Sequence, residues 1–158
     1  MADEHVPTGP DALFERHRPL LRAMAHRLLG TFPEAEEAVE DARRAWHRPD
    51  DPTTALAREC LTRLRAREAH RARPWDPRAA AHGAQESPPQ RPPALLDRLT
   101  PGLTPPERLA FVLHDEFEVP YERIAPALGH TPVAARRLAA RARHRLQAAE
   151  EMPERDVA

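Results

Sequence analysis

Proline is the residue that most limits what this chain can build. Nineteen prolines cut its 158 residues into stretches of helix length. A proline inside a helix removes a hydrogen bond and crowds the preceding turn, whereas one in the first turn is well tolerated. Between these breaks the chain is mostly Ala, Leu, Arg and Glu, all good helix formers. Aromatic residues make up only 4% and β-branched residues are scarce, so strands have little support. The expectation is an all-α protein of two small helical domains, residues 1–73 and 94–150, with a linker at 74–93 and a tail at 151–158.

In the first domain Leu13, Leu20, Leu21, Met24, Leu28 and Leu29 recur at near-helical spacing, and Gly30 suits a helix stop. Pro19 interrupts this segment and is expected to kink it or to start a new helix. A second helix is predicted from Thr31-Phe32-Pro33 to about Arg48. It is acidic at its start (Glu34, Glu36, Glu37, Glu40, Asp41) and basic at its end (Arg43, Arg44, Arg48), a polarity that complements the helix dipole. A third helix is predicted after Asp50-Asp51-Pro52, running to about Arg73, with an Asp as cap and Pro in the first turn. Residues 74–93 are rich in Pro, Ala and Gln, have no apolar periodicity and read as a flexible linker.

The second domain opens with a short predicted helix, Ala94–Leu99. Thr104-Pro105-Pro106-Glu107 then matches a capping box, and the helix it opens should reach about Phe117, burying Leu109, Val112, Leu113 and Phe117. A shorter helix runs from Pro120 to Leu128 and ends at Gly129. Thr131 caps a last helix that extends to about Ala149. Short helix, glycine turn and longer helix is the order of a helix-turn-helix.

Charge distribution singles out that last helix. All 24 basic residues of the chain are Arg and the formal net charge is −1, yet residues 133–147 hold five Arg and no acid. On a helical wheel Ala134, Leu138, Ala142 and Leu146, widened by Ala135 and Ala139, form a core stripe. Val133, Arg136, Arg137, Ala140 and His144 lie opposite. Arginine pairs bidentately with guanine, so Arg136 and Arg137 suit base reading, while the flanking arginines would neutralise phosphates. The plainer alternative is a solvated basic face on a bundle helix. Acids are abundant elsewhere in the chain, and that favours DNA binding.

Other chemistries find little support. A single cysteine, Cys60, excludes an internal disulfide and a Cys-based zinc site, and the nine His show no ligand spacing. Ser87 is the only serine and sits in the linker, which leaves a nucleophilic triad without an anchor. The acidic cluster at 34–41 reads as a solvated helix face rather than a pair of catalytic carboxylates. No enzyme activity, cofactor or metal is expected. With no long apolar run and no leader-like amino terminus, the expectation is a cytoplasmic protein without membrane association.

Residues 95–99 (LLDRL), 103–115 (LTPPERLAFVLHD), 121–125 (YERIA) and 131–143 (TPVAARRLAARAR) together resemble domain 4 of bacterial RNA polymerase sigma factors of the extracytoplasmic-function (ECF) class. Residues 14–30 (FERHRPLLRAMAHRLLG), 34–41 (EAEEAVED), 61–65 (LTRLR) and Pro74-Trp75 resemble domain 2 of the same family. The resemblance implies a three-helix domain 2 and a helix-turn-helix domain 4. It also implies core RNA polymerase (β′ clamp and β flap) and promoter DNA as partners, with an anti-sigma or co-regulator protein as a further partner class. Thr131, Val133, Arg136, Arg137, Arg141, Arg143 and His144 would meet the −35 element. Arg58, Thr62, Arg63 and Arg65 would lie near the −10 element, and Glu36, Glu37, Ala38, Glu40 and Asp41 would face the clamp.

The chain departs from the family pattern at several of these positions. Glu37 and Glu40 replace an Asp and a Gln, Thr62 replaces an Asp, Ala55 stands where a Trp is usual, and residues 49–73 contain no aromatic. The SnoaL-like carboxy-terminal domain common in the nearest branch is not expected here. Two other readings stay open: a degenerate sigma-like regulator that needs a partner to initiate, and a helical adaptor that does not bind DNA.

Overall fold

The computed structural model describes Gly9 and residues 11–72 and 102–151. The expected linker and the helix at Ala94–Leu99 lie outside the described residues. Among those described there are helices and no strand: α1 (Ala12–Leu29), α2 (Phe32–Ala45), α3 (Pro52–Ala72), α4 (Pro105–Phe111) running into a π-helical turn (Val112–Glu116), α5 (Tyr121–Leu128) and α6 (Pro132–Glu151). None is long and apolar enough to cross a membrane.

The helix ends follow local chemistry. Gly30 closes α1 in the left-handed region (φ 91°), its N–H donating to the His26 carbonyl. The Thr31 hydroxyl accepts from the Glu34 N–H at the start of α2, and the Asp51 carboxylate accepts from the Thr53 N–H at 3.0 Å at the start of α3. The Thr104 and Thr131 hydroxyls cap α4 and α6 in the same way. Gly129 (φ 67°) makes the turn between α5 and α6.

Three expectations change. Pro19 neither ends nor restarts α1, which runs through it unbroken. Pro19 is exposed, while Phe14, Leu21, Met24 and Leu28 on either side of it are buried in one core that holds both halves of the helix in line. Helix α2 stops at Ala45 rather than Arg48 because Trp46 turns inward. Its ring packs against Phe14 (centroids 5.9 Å apart) and its indole N–H donates to the Asp50 carbonyl at 2.7 Å. The α-helical part of α4 stops at Phe111. The wider π turn that follows ends with Glu118 at φ 57° and a Val119 N–H to Leu113 carbonyl bond of 2.9 Å, which brings Val119 into the core.

Helices α1–α3 pack on one another, as do α4–α6, and α3 joins the two groups because α4 and α5 lie against it. The buried side chains form one continuous cluster from Phe14 to Ala139. Burial of α3 on more than one side explains why Thr53 and Thr54 are buried along with Leu56, Ala57, Cys60, Leu61 and Leu64. Cys60 has no exposed surface, and desolvation pushes its thiol up to about 12.

Polar contacts fix the register between the groups. The Thr54 hydroxyl donates to the Arg123 backbone carbonyl at 2.8 Å, and the Arg123 guanidinium pairs with Asp51. Arg27 forms a two-pronged pair with Glu116 (2.6 and 2.7 Å). The Thr54 bond matters most, because the Thr54 side chain is buried whereas both ion pairs border water. Thr54→Val should therefore lower stability in urea by about 1 kcal/mol, the Arg123 carbonyl keeping its place in the α5 ladder but losing its link to α3. An unchanged midpoint would show that this contact does not hold α5 to α3.

Candidate nucleic-acid interface

Helix α6 is anchored by its smallest residues. Ala135, Ala139 and Ala142 are fully buried, whereas Ala134, Leu138 and Leu146 are half-buried. The core stripe is thus turned toward Ala135 relative to the wheel expectation, because close packing of α6 on α4 and α5 leaves room only for methyl groups. The opposite face carries Val133, Arg136, Arg137, Ala140, Arg141 and His144, all exposed, with Val133 at 58%. Thr131 is exposed too and is tied to its capping role through a 3.2 Å bond from the Ala134 N–H.

Partnering divides the arginines into two kinds. Arg18, Arg22, Arg27, Arg43, Arg44, Arg63, Arg67, Arg123, Arg143 and Arg145 each pair with a carboxylate. Arg136, Arg137 and Arg141 on α6, like Arg58 and Arg65 on α3, have no acidic partner among the described residues. Arg136 instead lies over the ring of Tyr121, 5.7 Å from its centroid. Arg143, expected to meet a phosphate, donates to Asp115 at 2.6 Å and to the Tyr121 hydroxyl at 3.1 Å. Arg145 reaches back to the buried Glu107 carboxylate and the Gly102 carbonyl, bracing the end of α6 against the start of α4.

On α3, Arg58, Thr62 and Arg65 follow helical spacing and share one exposed face. Arg63 points elsewhere. It meets Glu59 (3.0 Å), Asp41 (2.7 Å) and Glu37 (3.4 Å), joining α3 to α2. Although desolvation opposes it, the hydrogen bonds to Glu59 and Asp41 hold this guanidinium's pKa above its ordinary value. Ala55 is half-buried against the core, and its neighbourhood on α3 offers no aromatic ring.

The acidic helix α2 is flanked by arginines on both sides. Glu36 pairs with Arg22, Glu40 with Arg18 (2.8 Å) and Arg43 (3.3 Å), Asp41 with Arg63 and Arg44, and Glu34 with Arg67. Glu37 keeps the most exposed of these carboxylates (70%) and has only the long contact to Arg63. Ala38 has no exposed surface at all, so it seats α2 on the core instead of facing outward with its neighbours. Among the described residues no three His, Cys, Asp or Glu side chains converge as a metal site.

Tyr121 is the feature that sequence reasoning passed over. It is buried at the start of α5, stacks on His114 (centroids 3.9 Å apart) and touches two arginines of α6. Its being the single tyrosine of the chain, one step after a proline that opens a helix, was the available signal.

Arg18 provides a pH handle on the α1–α2 contact. Its hydrogen bonds hold the carboxyls of Glu15 and Glu40 below the usual glutamate value. Depressed carboxylate pKa values add stability that is present above the unfolded pKa and lost as pH falls through the folded one. Arg18→Ala should therefore lower Tm by a constant amount between about pH 5 and 7, and the gap to wild type should close below about pH 4. A gap that is the same at all these pH values would rule this out.

The chain is similar in sequence and in fold to known proteins. Residues 94–146 match the family described as sigma-70, region 4. The chain is 38% identical over 156 residues to the ECF RNA polymerase sigma factor SigJ of Mycobacterium tuberculosis (strain ATCC 25618 / H37Rv), a match covering 82% of this chain and 47% of that protein. It is 33% identical over 167 residues to the probable ECF RNA polymerase sigma factor SigI of M. tuberculosis (strain CDC 1551 / Oshkosh), covering 90% and 55%. The crystal structure of M. tuberculosis SigJ aligns with a TM-score of 0.56 at 36% identity, over 85% of this chain and 52% of that one. The sigma factor RpoE of Bartonella quintana, crystallised with the anti-sigma factor NepR, aligns with a TM-score of 0.57 at 19% identity, over 90% and 98%, a likeness of fold. The chain spans about half the length of the curated relatives it matches.

Proposed function

The chain belongs to the ECF class of RNA polymerase sigma factors, and on that premise we propose that it directs the polymerase to a set of promoters, with α6 reading the −35 element. The observation that carries this reading is the partnering of the arginines. In a chain of near-zero net charge, ten of the nineteen described arginines pair with carboxylates, and among the others Arg136, Arg137 and Arg141 stand together on one exposed helix face. An exposed cation without a carboxylate partner is free to displace counterions from a phosphate backbone. Thr131, Val133 and His144 flank that face, and Arg143 supports it from behind.

Helix α2 would dock on the β′ clamp through Glu36, Glu37, Glu40 and Asp41. Glu37 is the foremost of these, because its carboxylate is the least committed within the protein. The face of Arg58, Thr62 and Arg65 on α3 would lie along the −10 region, with Arg63 holding α3 to α2. Domain 4 would also rest on the β flap. The complex of the neighbour RpoE with NepR supports an anti-sigma protein as a partner class. These partners would place the chain in the cytoplasm.

Fluorescence anisotropy on promoter duplexes tests the DNA contact. The slope of log K against log salt should fall by about 1 for each of Arg137→Ala and Arg141→Ala. Slopes equal to wild type would favour an adaptor that meets a protein through this face.

One observation favours the reading in which the chain needs help to initiate. The exposed face of α3 has no aromatic on which an unpaired base could stack, a contact worth about 1–3 kcal/mol per base. Run-off transcription with core polymerase should therefore be weak on closed duplex templates and much stronger on the same templates with a pre-melted −10 bubble. Equal yield on both would show that the chain opens promoters unaided.

A further inference from the structure

Tyr121 sits at the meeting point of both helices of the helix-turn-helix, in an open concavity of about 580 Å³ lined by His114, Glu118, Tyr121, Glu122, Arg136 and Arg143. Its ring is held by two contacts, one on its face and one at its hydroxyl. His114 stacks on it nearly parallel, at 18°. The His114 ring is itself tied down, Nδ1 donating to the Val119 carbonyl at 3.0 Å. The Tyr121 hydroxyl accepts from Arg143, which is anchored on Asp115. Against this ring lies the guanidinium of Arg136.

The manner of this contact has a chemical consequence. An arginine held by a carboxylate uses two or more of its five N–H donors in the pairing. An arginine held by the face of an aromatic ring is oriented by the ring quadrupole and keeps all its donors. Glu118 and Glu122 line the same concavity, yet neither pairs with Arg136. Arg137, one residue on, has neither ring nor carboxylate beside it among the described residues. The two neighbouring arginines are therefore unlike: one is oriented with its donors open, and the other is unsupported.

We infer that Tyr121 is a positioning residue for base reading: it orients Arg136 so that its donors meet the edge of a particular base, and Arg137 contributes charge without choosing a base. The inference rests on the proposal that α6 reads the −35 element. Orienting the guanidinium in advance lowers the ordering cost at contact and confines it to one direction, and bidentate pairing to guanine is the contact that such a geometry favours.

The test is selection from a duplex library randomised across the −35 region, using the full chain bound to core polymerase. Arg136→Ala should flatten the preference at one base position by about tenfold or more, and Arg137→Ala should weaken binding evenly across sequences. Tyr121→Phe keeps the ring and should keep that preference. Tyr121→Leu, shown to be folded by circular dichroism, should flatten the same position and add nothing further in an Arg136→Ala background. Selectivity retained in folded Tyr121→Leu would overturn the inference while leaving the −35 reading intact; no change in Arg136→Ala would overturn both. A third measurement needs no variant. In the free full chain, ¹⁵N relaxation should find the Arg136 Nε–H markedly more ordered than that of Arg137, and equal disorder at the two sites would also overturn it.

Discussion

Among the described helices, α3 is the support that both groups share. Helices α1 and α2 pack on it from one group and α4 and α5 from the other, so α3, with Leu56, Cys60, Leu61 and Leu64 all buried, serves two helical groups at once. Small domains bury a limited share of their surface and are correspondingly marginal when alone. Sharing a central helix enlarges the core available to each group. It also couples the groups: whatever shifts α3 at Thr54 and Asp51 is felt at Arg123 in α5, next to the helix that carries the free arginines.

The elements that sequence patterning located best were those whose ends are written in local chemistry. Thr31, Asp51, Thr104 and Thr131 cap helices because a short polar side chain before a helix satisfies a free N–H, and no tertiary knowledge is needed to see it. Patterning failed where a distant contact overrode the local rule. Pro19 is carried through α1 because buried residues on both sides of it outweigh a single lost hydrogen bond on an exposed side. Trp46 ends α2 early because Phe14, far away in sequence, offers it a place in the core. The π turn after α4 accommodates Val119, whose burial no periodicity could announce.

The candidate interface was half legible for the same reason. Which arginines lie outward on α6 follows from the helical period. Which of them are free depends on carboxylates up to 38 positions away, as with Arg145 and Glu107, and the sequence shows no such pairing. Charge counting therefore singled out α6 but could not separate Arg143, already engaged with Asp115, from Arg137 and Arg141. Likewise the acids of α2 form an evident cluster in one dimension, yet in three dimensions they are mostly one half of an arginine lattice. Glu37 stands out only once that lattice is seen.

The packing of α6 through Ala135, Ala139 and Ala142, matched by Ala35, Ala38 and Ala57 among α1–α3, gives the protein an uneven response to change. A leucine-lined core can lose a methyl or gain one, and drift in either direction is graded. A methyl-lined seam has almost nothing to lose except backbone stiffness, while any growth must push two helices apart. Variation in such a chain is thereby channelled to the outer faces, where arginines can be exchanged without touching the seam. A lineage built this way can vary the outer face of α6 far more readily than how α6 is held.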